Sequence, residues 1–253
     1  MGNAVSRVMD VIYAVVGSAV PLTADAIVET TNLPRATAYR LIAGMCDQQV
    51  LLREPKNAGF SPGPRLNDLS LRLMANGSFR AARHAVLQAL VAQIGETCNF
   101  TTYHNGAVLY IDRVEAEWPL RLSLHPGSTT PLFCTSSGKL YLSLMSAAQR
   151  KRLLNAAPIP RYTDKTITDR AALERDLRAI RRSRVSTDDE GFLAGLISVA
   201  VPVYGLSKTV IGTVSVHALK ARLNLPRALT FLPQLRRAAS DLGSAYRRLS
   251  YAP

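Results

Sequence analysis

The stretch Leu22–Leu41 constrains this chain most, because it spells two short helices joined by a tight turn. Thr23 suits the N-cap of the first helix, where its hydroxyl can accept a bond from a first-turn amide. Asn32 supplies the turn, and Pro34 opens the second helix at a position where a missing N–H is harmless. In that helix Ala38, Leu41, Ile42 and Met45 recur at i, i+3, i+4 and i+7, which makes a buried stripe. The opposite face carries Arg35, Thr37, Tyr39 and Arg40, with no acidic residue before Asp47. A first turn of this kind can approach phosphates and base edges in a major groove. An ordinary helical hairpin inside a core is the alternative.

The flanking segments favour a DNA-reading module. Val50–Arg53 predicts a short strand, Glu54–Gly59 a polar tip, and Phe60-Ser61 a returning strand before Pro62-Gly63-Pro64. Helix, strand, turn, strand is the order of a winged helix, with Arg53 and Lys56 of the wing directed at the DNA backbone. Upstream, Val5, Val8, Met9, Ile12 and Val16 fall on one face of a supporting helix. A winged helix-turn-helix over residues 1–65 is therefore expected.

Charge adds a complication. The formal net charge is +13, yet residues 1–65 hold six Lys/Arg against five Asp/Glu, while residues 66–253 hold 25 against 13. The excess lies outside the expected DNA module and is dense from Arg170 to Arg184. Two readings remain open: a solvated basic helix face, or a surface that steers the molecule toward DNA or pairs with a neighbouring subunit. No apolar run of about 18 residues predicts a membrane span. The N-terminus lacks the basic-then-apolar pattern of a secretory signal. Cys46, Cys98 and Cys134 are odd in number and widely separated, which argues against a disulfide framework. A cytoplasmic location is expected.

Beyond Pro64, Leu66, Leu69, Leu73 and Met74 have helical spacing, giving a linker helix over 66–78 whose apolar face would suit a second copy of itself. A third region, 79–253, opens on a helix from about Phe79 to Glu96. Asn105-Gly106 then marks a tight hairpin between strands Cys98–Tyr103 and Ala107–Val114. Further strands are expected at Arg121–His125, Leu196–Tyr204 and Val210–His217, and helices at Ser137–Met145, Ala147–Ala156, Arg170–Ser183 and Arg227–Leu249. This mixture predicts an α+β region with an antiparallel sheet and flanking helices.

The sequence resembles the IclR family of bacterial transcriptional regulators over nearly its whole length. The resemblance rests on Leu33–Leu41, Gly63–Leu66, Tyr110–Glu115, Thr135–Lys139, Thr166–Asp169, Asp188–Glu190 with Gly195, and Ala200–Val203, in that order. It implies a winged helix-turn-helix joined to an effector-binding domain with a GAF- or PAS-like sheet, assembled as dimers or dimers of dimers. The implied partners are double-stranded operator DNA, a small-molecule effector and further copies of the chain.

No catalytic constellation is evident. Ser136-Ser137-Gly138-Lys139 echoes the end of a P-loop, but Phe133 stands where its first Gly belongs and Leu140 where its metal-binding hydroxyl belongs. The four histidines (His84, His104, His125 and His217) lack the close spacing with cysteines that zinc requires. Neither an enzyme nor a cofactor or metal protein is predicted. Ser136 and Ser137 open a helix, where amides and hydroxyls can receive a carboxylate, Lys139 adding charge if it turns inward; a serine that merely caps the helix is the other reading. By position, the resemblance implies a lining of Ser136, Ser137, Asp188, Ser198, Ser215 and His217. The chain departs from the common family pattern at Ser198, where cysteine is frequent, and at His217, where serine is frequent. Gly191 and Leu193 also stand where acidic residues usually follow. His217 is either a pH-responsive ligand group or a satisfied core histidine. The expectation is a ligand-responsive DNA-binding regulator of a catabolic operon, whose effector is a small organic or aromatic carboxylate. The alternative is a small-molecule sensor or enzyme whose N-terminal module mediates protein contacts, which an acidic recognition face would have favoured.

Overall fold

The computed structural model describes residues 3–18, 20–55, 58–75, 78–119, 124–155 and 158–250. Two compact units divide the chain, Met1–Ala75 and Asn76–Pro253.

The first unit contains α1 (Ala4–Gly17), α2 (Ala24–Thr31), α3 (Arg35–Asp47), the antiparallel pair β1 (Leu51–Arg53) and β2 (Phe60–Pro62), and α4 (Pro64–Ala75). Thr23 caps α2 by accepting from the Ala26 amide at 3.2 Å, and Asn32 makes the turn with φ 52°. Pro34 sits one place earlier than expected, as the N-cap of α3. Val11, Val15, Ile27, Ile42, Met45, Leu51 and Phe60 bury a common core, each fully buried side chain contributing about 1.5–3 kcal/mol. A Leu22–Phe60 bridge ties the second strand to the segment before α2. The helix expected as a linker is α4, and it groups with this unit.

The second unit is a six-stranded antiparallel sheet in the order β5-β4-β3-β8-β7-β6. Its strands are β3 (Thr97–His104), β4 (Ala107–Val114), β5 (Thr129–Pro131), β6 (Ser186–Asp189), β7 (Leu196–Tyr204) and β8 (Val210–Leu219). The Asn105-Gly106 turn has φ of 47° and 82°, the left-handed geometry that its residues tolerate. Helices α5 (Ser78–Ile94), α9 (Leu225–Leu229) and α10 (Leu232–Ser250) cover one face. Helices α6 (Ser136–Leu144) and α8 (Arg170–Ser183), with Leu154 of α7 (Ala147–Asn155), build a core on the other.

Two expected elements needed correction. The single helix over 227–249 is two, α9 and α10, because Pro233 has no N–H to donate to the Leu229 carbonyl and suits the first turn of a new helix. Of the strand expected at Arg121–His125, residues 121–123 lie outside the described residues and 124–125 form no strand. The outer partner of β4 is instead β5, at Thr129–Pro131.

On the α5 side of the sheet, the Arg83 guanidinium is 1% exposed and pairs with Asp112 of β4 at 3.0 Å. It lies over the rings of Phe79 and Phe100, at 5.3 and 5.5 Å, while His84 Nδ1 reaches the second Asp112 oxygen at 3.0 Å. Desolvation is the largest influence on Arg83 and lowers its pKa, against the attraction of Asp112.

Candidate functional site

Alternation along the strands gathers polar side chains on the face beneath α6. Asp188 of β6 lies opposite Ser198 of β7, Ser198 opposite His217 of β8, and His217 opposite Thr97 of β3. Two residues along, Ser186, Ala200, Ser215, Asn99 and Arg113 form the next row across five strands. Asp188, Ser198, Ser215, His217, Asn99 and Arg113 are all buried. Expected effector contacts thus come together from three neighbouring strands.

Helix α6 closes the row. Thr135 is its N-cap, accepting from the Gly138 amide at 3.1 Å, which releases both serines from capping. The Ser136 hydroxyl meets that of Ser198 at 2.7 Å, and Ser137 Oγ accepts from Thr213 at 2.8 Å. Gly138 is required here, since a Cβ would lie 2.3 Å from the Leu132 carbonyl oxygen. Lys139 does not turn toward the serines. Its ammonium pairs with Asp176 of α8 at 2.7 Å, where the helix rotation places it.

Three buried polar atoms in this layer have no partner among the described residues: Ser186 Oγ, Asn99 Nδ2 and His217 Nδ1. Arg113 donates to Asn99 Oδ1 at 2.8 Å, which orients the amide and leaves Asn99 Nδ2 unpaired. His217 Nε2 contacts the Ser215 hydroxyl at 3.4 Å, and its Nδ1 is unpaired. Burial and the nearby Arg113 charge push the His217 pKa down to about 3, so the ring is neutral near pH 7. A buried unsatisfied donor or acceptor costs about 1–3 kcal/mol, and a ligand that pairs with the Asn99 and His217 atoms relieves that cost. Burial likewise raises Asp188 to about 6, against the Gly191 and Phe192 amides and the Lys139 charge. Gly191 N donates to Asp188 Oδ1 at 2.7 Å, and a Cβ on Gly191 would lie 2.7 Å from that oxygen, so glycine permits the approach.

Asn99, Arg113 and Thr213 are not among the residues expected from sequence. A signal for Asn99 exists: Thr97, Asn99 and Thr101 alternate along an otherwise apolar-flanked strand. A separate cavity of about 470 Å³ is lined mainly by apolar side chains, including Phe133, Ile159, Pro160 and Tyr162, and by none of the six expected contacts. Unsatisfied polar chemistry, not cavity size, makes the α6 face the candidate site.

In the first unit, Arg35, Tyr39, Arg40 and Arg53 are exposed and Thr37 is half-buried. Lys56 lies outside the described residues. Asp25 of α2, which no sequence pattern singles out, ties two of these side chains together. Its Oδ1 accepts from Arg35 at 2.7 Å and from the Tyr39 hydroxyl at 2.9 Å, and Arg35 lies over the Tyr39 ring.

Comparison with known proteins identifies the family. Residues 73–244 match the bacterial transcriptional regulator IclR C-terminal family. The chain is 36% identical over 236 residues to the probable transcriptional regulator SauR of Cupriavidus necator, covering 93% of this chain and 92% of that protein. An IclR homologue from Microbacterium hydrocarbonoxydans, solved with 4-hydroxybenzoate, superposes with a TM-score of 0.61 at 22% identity, covering 97% of this chain and all of that one. The inducer-binding domain of a PobR double mutant from Acinetobacter, solved with 3-hydroxybenzoic acid, gives 0.60 at 26% identity over 66% of this chain and 98% of that one. The relatives are regulators, not enzymes, and the described residues contain no helix long and apolar enough to cross a membrane. The chain is a transcriptional regulator and belongs to the IclR family.

Proposed function

We propose that this regulator is ligand-responsive: α3 and the wing bind operator DNA, and a small aromatic carboxylate binds between α6 and the sheet. The unpaired Asn99 Nδ2 and His217 Nδ1, buried beside four hydroxyl groups and Asp188, carry the effector half of this reading. A carboxylate oxygen accepts from the Asn99 amide and from a His217 N–H, while a ring hydroxyl has Asp188 or Ser136 as acceptor. The hydroxybenzoates bound to the two structural neighbours support the same class of ligand.

For DNA, Arg35, Thr37, Tyr39 and Arg40 face the groove, and Arg53 and Lys56 the phosphates. One winged module covers little DNA, so two copies act on a palindromic or repeated site, as dimers or dimers of dimers. Effector binding alters operator affinity through the 66–78 segment, a coupling between two sites. The target is a catabolic operon, and the protein works in the cytoplasm. Titration calorimetry with 4-hydroxybenzoate and benzoate tests the pocket. Saturable binding to the wild type that weakens at least tenfold in Asn99→Ala and His217→Ala supports it. Binding unaffected by both substitutions would sink the assignment of these residues, and absent binding of any aromatic acid would sink the ligand class.

A further inference from the structure

The proposed functions leave the basic excess of the second unit unused. Part of it converges in a groove of about 300 Å³ between the end of β7 and α10, on the sheet face opposite α6. Three guanidinium groups line it: Arg184 from the end of α8, and Arg236 and Arg247 from α10. Arg236, Ser240 and Arg247 are spaced four and seven residues apart, which puts them on one side of that helix. The floor is the buried pair Val201 and Ala239.

No carboxylate is among the lining residues, although opposite charges normally accompany clustered arginines. The single acid of α10, Asp241, lies in a different groove with residues of α5. The acids of α8 are engaged on the far side of the sheet, Glu174 with Arg150 and Asp176 with Lys139. Arg247 has a structural partner, donating to the Tyr204 carbonyl at 3.3 Å and to Ser244 at 2.8 Å. Arg184 and Arg236 are exposed and form no side-chain ion pair among the described residues. Arg184 also holds a left-handed cap at φ 57°, where glycine or asparagine would be less strained.

We propose that this groove is a second ligand site, which binds a small organic dianion such as a phosphate ester or a polycarboxylate. Arg184 and Arg236 hold the charged groups from two sides, Ser240 adds a hydroxyl, and the apolar floor receives the carbon skeleton. The site lies on the opposite face of the sheet from the α6 pocket and does not depend on the assignment of that pocket.

The test is titration calorimetry of the full chain with inorganic phosphate and with citrate, each against sodium chloride of equal ionic strength. Saturable binding of either anion, weakened at least tenfold in Arg184→Gln/Arg236→Gln and unchanged in Arg35→Gln/Arg40→Gln, is the expected result. Preference for phosphate or for citrate identifies which dianion the groove suits. Heat no larger than that of chloride, or binding that survives in the Arg184→Gln/Arg236→Gln variant, overturns the proposal. Loss of binding only in the Arg35→Gln/Arg40→Gln variant would assign the anion to the recognition helix and overturn it equally.

Discussion

Replacing Asp188 by Asn isolates the energetic consequence of building a polar pocket inside the sheet. The carboxyl is 3% exposed and its pKa rises from the ordinary 3.8 to about 6, chiefly through burial. A carboxyl that holds its proton more tightly when folded makes stability fall as pH rises from its unfolded to its folded pKa. The loss therefore begins near pH 3.8 and is complete above about 6. Such a rise corresponds to roughly 3 kcal/mol at neutral pH. Asparagine keeps an oxygen for the Gly191 amide, which Asp188 Oδ1 now accepts at 2.7 Å, and removes the titration. Asp188→Asn should consequently gain about 3 kcal/mol relative to the wild type between about pH 4 and about pH 7.5. The low pKa of His217 adds its own slope, a loss as pH falls below 6.5, but that slope is common to both proteins and cancels in the difference. Urea denaturation followed by Trp118, the single tryptophan and a residue of the second unit, reads the relevant transition. A wild-type-to-variant difference that stays flat across this pH range would refute the claim that Asp188 is a desolvated carboxyl.

Two other substitutions probe the remaining features. Arg83→Met leaves Asp112 buried beside a neutral side chain, so urea denaturation near pH 7 should report about 3–5 kcal/mol lost; a loss under about 1 kcal/mol would mean water already solvates the pair. Asp25→Asn breaks an exposed pair and should change stability by less than about 1 kcal/mol. Removing that negative charge from beside Arg35 and Tyr39 should nonetheless strengthen binding to nonspecific duplex in fluorescence anisotropy, and unchanged nonspecific affinity would contradict the role given to Asp25.

Local chemistry made the first unit readable in sequence. The Thr23 cap, the Asn32 turn and the Ala38–Ile42–Met45 stripe act within a few residues of themselves, and each occurs in the structure within one position of its expected place. The Asn105-Gly106 hairpin was legible for the same reason. Edge strands β5 and β6, of three and four residues, carry too little periodicity to announce themselves and exist because longer strands offer an edge. The candidate site was partly visible: the residues the resemblance implied, Ser136, Ser137, Asp188, Ser198, Ser215 and His217, come together between α6 and the sheet. Asn99 meets Ser215 only through register with β8, over 100 residues away, and Asp25 meets Arg35 only through a contact between two helices. Those pairings are tertiary facts with no local sequence mark. Lys139 shows the same limit, since only the position of α8 decides that it meets Asp176.

DNA binding by the recognition helix is tested most directly by fluorescence anisotropy of the full chain with the duplex upstream of its own gene, against a scrambled duplex, at two salt concentrations and with Arg40→Ala alongside. The account predicts tighter, salt-sensitive binding to the upstream duplex and a loss of about 1–3 kcal/mol of that preference in the variant. Equal affinity of wild type and variant for the upstream duplex would contradict it.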